Sequence, residues 1–164
     1  TAIGNQAVNE GTTLSFTAQG IAALAAGRLS DRAVARGGDE AALRRNTMIA
    51  GQALVGASIA GVWFAQGPWQ LGLFLVLAGI GSGFISVNLF AVAQMFAGPR
   101  AAGGWVGVQN ALGNAAGIVG PVITGVIVDA LGSYGWGFAI AALIAGSGAL
   151  WWRWVVPPIR QIEV

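Results

Sequence analysis

The chain has 164 residues, of which 55% are hydrophobic, 27 are glycine and only 14 are charged, eight of them basic and six acidic. Charged residues make up 9% of the chain, against about 25% in average soluble proteins, which is too few to cover a soluble domain of this size. This balance excludes an ordinary cytosolic enzyme, a disordered tail and, despite a sequence pI of about 10.5, a nucleic-acid-binding protein. The absence of cysteine and histidine excludes a disulfide framework and an ordinary zinc site, and a mean hydropathy of +0.71 indicates a membrane protein.

Long uncharged stretches predict the membrane spans. The chain has 54 uncharged residues between Arg45 and Arg100, 28 more at 101–128 and 23 at 130–152. A transmembrane helix needs about 20 apolar residues to cross about 30 Å of hydrocarbon, so the first stretch holds two helices, separated by a turn at 66–70. We predict an all-α, polytopic transmembrane bundle of five spans, at residues 12–27, 46–65, 70–97, 104–128 and 135–155. Glu10 then lies just outside the first span.

The basic residues predict the orientation of these spans. All eight are arginines, and they fall in the connection 28–45, in the turn 98–103 and at the C-terminal end, while the turns 66–70 and 129–134 have none. Alternate connections lie on opposite sides of a membrane, and basic residues concentrate on the cytoplasmic side. We therefore expect loop 28–45 and the C-terminus to be cytoplasmic. The seven tryptophans lie near predicted span ends, as indole rings at the headgroup level do.

The connection after the first span contains a compact charged motif, formed by Gly27, Asp31, Arg32 and Arg36. Asp31 is suited to accept hydrogen bonds from the N-terminus of a neighbouring helix. Arg32 and Arg36 are four residues apart, so they share one face of a helix and are suited to pair with acids or helix C-termini. The alternative is a solvated loop whose arginines only fix the topology.

Span 70–97 has two polar faces. One face contains Gly79, Ser82, Gly83, Ser86 and Phe90. Asn88 lies nearly opposite Ser86, so the two faces cannot line the same cavity. The glycines of this span lack the Gly-Lys-Ser/Thr ending of a phosphate-binding loop, and we interpret them as helix-packing residues.

Span 104–128 combines small residues with amides. Gly113, Gly117, Gly120 and Thr124 form a stripe about 60° wide on a helical wheel, which predicts close contact with another helix. Beside this stripe lie Asn110, Asn114 and Pro121, the last of which we group with the packing residues. Amides deep in a span are costly unless they are paired or face a wet cavity. The asparagines therefore either line a polar pathway or make interhelical hydrogen bonds.

These motifs resemble a known family. The sequence Gly27-x3-Asp31-Arg32-x3-Arg36 resembles the loop motif of the major facilitator superfamily, found between helices 2 and 3 and again between helices 8 and 9. Residues 81–121 resemble helices 10 and 11 of its anion:cation symporter branch, which includes hexuronate and galactonate permeases. The resemblance covers roughly residues 20–156. It implies that the chain is part of the C-terminal six-helix half, comprising helices 8–12 of a twelve-helix fold.

The resemblance also implies roles for individual residues. The loop motif would be a conformational latch that stabilises the outward-facing state through its aspartate and arginine contacts. Asn110 would contact the substrate, together with the Ser86 and Phe90 face of the preceding span. Asn114 and Asn88 are further candidates for substrate contact, although Asn88 also fits a packing or gating amide.

No catalytic site is expected, because no histidine, cysteine or paired carboxylate lies within a predicted span, and no cofactor or metal is implied. Proton coupling normally uses an intramembrane carboxylate, and anion binding usually needs a buried cation. Both are expected from a missing N-terminal half, since an odd number of spans with an external start indicates a piece of a longer protein.

The sequence thus predicts a bacterial cytoplasmic-membrane symporter that moves a small organic anion, such as a sugar acid, with protons. Its partners would be the substrate, protons, the lipid bilayer and the N-terminal half. Alternatives are sugar-phosphate antiport, drug efflux and a non-transporting membrane scaffold.

Overall fold

The computed structural model describes residues 2–160, and the side chains from residue 9 onward. The described residues form an all-helical structure of four helices, which are α1 (Ala2–Ala35), α2 (Glu40–Val62), α3 (Pro68–Leu131) and α4 (Tyr134–Trp154). This confirms the predicted all-α class. Two of the helices, α3 and α4, are long and apolar enough to cross a membrane.

The connection predicted at 28–45 is mostly helical. Residues 28–35 continue α1, residues 40–45 begin α2, and only 36–39 lie between them. Alanine, leucine and arginine favour helix, and Arg32 in the last turn of α1 complements the negative end of its dipole. Gly37 turns the chain with a φ of 88°, and the Asp39 carboxylate caps α2 by accepting from the backbone N–H groups of Ala41 and Ala42. The bounds predicted for this loop were therefore too wide.

Helix α1 also begins earlier than predicted, which changes the position of Glu10. Because α1 starts at Ala2, Glu10 lies inside a continuous helix rather than before its start. The next residue, Gly11, packs against Leu75 of α3, seven residues beyond Pro68. Glu10 is therefore within about two helical turns of the level where α3 begins.

Helix α3 is divided at Gly98. Its 64 residues would extend about 96 Å as one straight helix, about three times the thickness of a hydrocarbon core. Gly98 has φ 68° and ψ 175°, a conformation that only glycine adopts readily, and Pro99 follows it. We call the parts before and after this residue α3a (68–97) and α3b (99–131). The turn predicted at 98–103 is thus a break at one residue, and the described chain has five helical segments.

Segment α3b folds back along α3a. The side-chain Nε2 of Gln109, eleven residues after Gly98, donates a 3.2 Å hydrogen bond to the carbonyl of Leu89, nine residues before it. Residues almost equally distant from a break meet only when the two segments run antiparallel. A cavity of about 340 Å³ beside this contact is lined by Phe96 and Trp105 of the two segments and also by Met48 of α2 and Trp152 of α4.

Close approaches at small residues pack the helices together. Helix α1 runs parallel to α3a, because Ser15 Oγ donates to the Leu75 carbonyl at 2.8 Å and Gly27 contacts Val87 further along. Helix α2 runs antiparallel to α3a and crosses it closely where Gly51 meets Gly81. It also crosses α4 closely, at Gly56 and Gly146. Small residues allow this backbone proximity, which is typical of membrane helices.

Because neighbouring helices alternate in direction, arginines collect at one end of the helix bundle and aromatic residues at the other. At one end, Arg44 bonds to Asn88 of α3a and Arg45 bonds to the C-terminal carbonyls of α4. At the other end, the rings of Trp63 and Trp136 meet edge to face with centroids 6.1 Å apart. The C-terminal end of α1, the Gly98 break and the C-terminal end of α4 all belong to the first end, so the arginines gather there.

Candidate functional site

The candidate substrate-facing residues of α3a and α3b lie beside one contact, between Leu89 and Gln109. Each residue of an α-helix is rotated by about 100° from the one before it, always in the same sense. When two helices run antiparallel, the residues that follow a facing pair therefore turn toward the same side. Phe90 and Asn110 are those residues, so they flank the same side of the α3a–α3b contact.

Ser86 and Asn114 extend this surface by one helical turn on each segment. Both side chains are exposed, as is that of Asn110, and Phe90 is 40% exposed. We call these four residues, Ser86, Phe90, Asn110 and Asn114, the cleft residues. That Asn110 and the Ser86 face contact one substrate stays a prediction.

The cleft residues offer neutral hydrogen-bonding groups beside an aromatic ring. Ser86 Oγ donates to the Gly83 carbonyl at 3.0 Å, and Asn114 Nδ2 donates to the Asn110 carbonyl at 2.8 Å. These bonds within each helix leave the Ser86 and Asn114 oxygens as acceptors. The Asn110 carboxamide makes no hydrogen bond with the described residues, so its two donors and its acceptor are available to a ligand.

The three glycines in the predicted stripe of α3b are not covered by the rest of the described chain. No heavy atom lies within 4 Å of the position that a Cβ would occupy at Gly113, Gly117 or Gly120. Pro121 is exposed, and Thr124 Oγ1 donates to the Gly120 carbonyl within its own helix. Thr124 also approaches α4, because its Cγ2 would lie 3.3 Å from a Cβ built at Gly137. Contact between the three glycines and another helix stays a prediction, and such a helix would have to come from outside the described residues.

Asn88 lies away from the cleft, as the helical wheel predicts. It is fully buried, with 0% exposure, at the interface of α2 and α3a. Its Nδ2 donates to the Phe84 carbonyl at 2.9 Å, and its Oδ1 accepts from Arg44 at 3.2 Å. Arg44 also forms an ion pair with Glu40 at 2.7 Å. These contacts support the packing interpretation of Asn88 rather than direct contact with a substrate.

The residues of the predicted latch lie at the arginine-rich end. A Cβ built at Gly27 would lie 3.5 Å from Cγ2 of Val87 on α3a. Arg32 and Arg36 line one cavity of about 630 Å³ between α1 and α2. Arg36 follows the last residue of α1, so the two arginines lie at one cavity but not on one helix. The Asp31 carboxylate is exposed and makes no hydrogen bond with any residue that the structure describes. It is open to a partner beyond them.

Sequence reasoning missed the roles of Arg44 and Arg45, which it treated only as topology signals. Arg45 Nε and Nη2 donate to the carbonyls of Trp152 and Arg153 at 3.1 and 2.9 Å, and these bonds cap α4. The spacing of Glu40 and Arg44, four residues apart, was a signal for their pairing. The contacts of these arginines with α3a and α4 join residues 44 and 107 positions apart, which no local pattern reveals.

Comparison with known proteins identifies the family. The model of the Major Facilitator Superfamily matches residues 3–163, almost the whole chain. A search of the curated proteins finds no match.

Proposed function

The chain belongs to the major facilitator superfamily, whose members are multi-pass membrane transporters and not enzymes, and on that premise we propose a specific transport activity. The proposed activity is secondary active transport of a small organic anion, such as a sugar acid, by proton symport. The chain would act as part of the C-terminal half of the transporter, in the cytoplasmic membrane of a bacterium. The arginine-rich end would face the cytoplasm, as the positive-inside rule predicts.

The observation that carries this proposal is the shared orientation of Phe90 and Asn110. A sugar acid presents several hydroxyl groups and one carboxylate, and both accept hydrogen bonds from a carboxamide N–H. The exposed amide of Asn110 and the Ser86 oxygen supply neutral donors and acceptors, and the Phe90 ring supplies an apolar face for the C–H groups of a sugar. None of the four cleft residues is charged, so the cation that balances the carboxylate would come from the other half.

Alternating access gives the remaining motifs a role. In such transporters the substrate binds near the bilayer midplane, and two bundles rock around it. The exposed Asp31 carboxylate and the arginines beside it would make contacts with the other bundle in one state and lose them in the other. The uncovered glycine face of α3b would allow another helix to approach closely.

The test replaces Asn110 in the complete transporter. We expect Asn110→Ala to lower uptake of the sugar acid, driven by an imposed proton gradient, by at least about tenfold, because a hydrogen bond to a charged group contributes about 1.5–3 kcal/mol. Asn9→Ala is the matched control, because Asn9 is an exposed asparagine on α1, away from the cleft residues and from the arginine-rich end. Immunoblots of the membrane fraction verify that both variants are present in equal amounts.

Three results would contradict the proposal. Unchanged uptake by Asn110→Ala would show that Asn110 does not bind the substrate. Uptake that depends on phosphate counterflow rather than on the proton gradient would indicate sugar-phosphate antiport. If the parent protein transports no solute, and Asn110→Ala changes only the assembly of the protein in the membrane, the chain would be a scaffold.

A further inference from the structure

A second charged cavity lies at the arginine-rich end, away from the cleft residues. It has a volume of about 350 Å³ and is formed where the first turns of α2 meet the end of α4 and the segment that follows it. The residues that matter for its chemistry are Asp39, Arg45, Arg153, Ile159 and Arg160.

The described residues give this cavity an excess of positive charge. Of its three arginines, Arg45 is engaged with the carbonyl groups at the end of α4. The guanidinium groups of Arg153 and Arg160 are exposed and make no hydrogen bond or ion pair with the described residues. The one carboxylate, Asp39, is directed to the N-terminus of α2, where its Oδ1 accepts two backbone N–H groups. Two arginines are thus left without an acidic partner in the described chain.

Two such guanidinium groups favour a phosphate. The planar guanidinium fork matches the geometry of phosphate oxygens and binds them through paired hydrogen bonds. The cavity therefore has the charge and the donors for one phosphate group.

An apolar surface of α4 adjoins the cavity, which favours a lipid phosphate over a free one. Ile159, only 5% exposed, forms part of the cavity wall. Immediately before Arg153, the surface of α4 carries Leu150 and Trp151, which are 52% and 60% exposed, and Trp154 follows at 73%. A free phosphate has no apolar group that could pack on this surface, whereas the acyl chains of a phospholipid would lie along it.

We propose that this cavity binds the headgroup of an anionic phospholipid, with the phosphate at Arg153 and Arg160 and the acyl chains along α4. The orientation proposed above places the cavity at the cytoplasmic membrane surface, where basic pockets between helices meet anionic headgroups. A bound lipid would hold the segment 155–160 against the start of α2. This site is separate from the cleft residues and does not depend on which solute is transported.

The test measures lipid binding to the purified complete transporter by native mass spectrometry in detergent. Phosphatidylglycerol is titrated against phosphatidylcholine with the same acyl chains, and inorganic phosphate is titrated in a third arm. The double variant Arg153→Gln with Arg160→Gln removes the proposed ligands. The double variant Arg28→Gln with Arg100→Gln is the control, because it removes the same charge from arginines that do not line the cavity.

We expect the parent protein and the control to prefer phosphatidylglycerol, and the cavity variant to bind it about fivefold more weakly for each arginine removed. Thermal unfolding without added lipid verifies that both variants are folded, and a single Arg160→Gln variant replaces the double one if it is not. If the cavity and control variants lose phosphatidylglycerol affinity equally, the lipid responds to surface charge in general, and the proposed site is wrong. Equal affinity for phosphatidylcholine would overturn the headgroup assignment. Displacement of phosphatidylglycerol by millimolar inorganic phosphate would show a small-anion site instead of a lipid site.

Discussion

Replacing Gly51 with alanine tests whether backbone proximity sets the packing of α2 on α3a. A Cβ at Gly51 would lie 2.8 Å from the carbonyl oxygen of Gly81 and 2.9 Å from Cγ1 of Ile85. To relieve the backbone contact, α2 would have to move away by roughly 0.5 Å, and a gap of that size forfeits about a quarter of the dispersion energy of the atoms beside it. Overpacking of this kind costs about 1–3 kcal/mol.

The matched control is Gly72→Ala, since no atom lies within 4 Å of a Cβ built at Gly72. Both changes gain the same helix propensity, about 1 kcal/mol, so the difference between the two variants isolates the steric cost. A chain of this size loses about 2–4 °C in Tm per kcal/mol, so Gly51→Ala should melt about 2–12 °C below the control. Tryptophan fluorescence of the purified protein reports the transition. Indistinguishable melting temperatures would refute the conclusion that this crossing depends on glycine.

Three further predictions concern the polar contacts and the break. Asn88→Leu should destabilise the fold by about 1.5–3 kcal/mol in thermal unfolding, because it leaves a partly buried N–H of Arg44 unpaired, and adding Arg44→Met should recover most of the loss. Gly98→Ala should cost about 1–3 kcal/mol because of its positive φ, and faster trypsin cleavage after Arg100 would report the loosened break. Arg45→Met should increase hydrogen exchange in the last turn of α4, and unchanged exchange there would argue against the cap.

The sequence was most informative where physical constraints are local. A shortage of charge predicted membrane helices, and the turn at 66–70 and the start of the last span agree with the structure within a few residues. The helical wheel separated Ser86 from Asn88 correctly, because the 100° rotation per residue does not depend on the neighbours. The Ser86 side chain is exposed, and the Asn88 side chain is fully buried.

The sequence was least informative about helix ends and about contacts between distant helices. Charged residues at 28–45 were taken to end a span, but a helix continues past the membrane whenever its residues favour helix, so charge marks the membrane boundary and not the helix boundary. The glycines of span 70–97 were correctly interpreted as packing residues. Their partners, Gly51 for Gly81 among them, depend on the three-dimensional register of two helices. No periodicity within one helix contains that information.

The contacts of α3a and α3b explain how the cleft is built. Segment α3a is held from two sides, by α1 along one face and by α2 through the Gly51 crossing and the Arg44–Asn88 bond. Segment α3b meets the rest of the described chain mainly near its two ends, at Gln109 and near the turn into α4, and its glycine face is open. The position of Ser86 is therefore fixed by the packing of α3a, whereas the position of Asn110 depends on the backbone geometry at Gly98. A substitution at Gly98 should therefore move the Asn110 carboxamide more than the Ser86 hydroxyl.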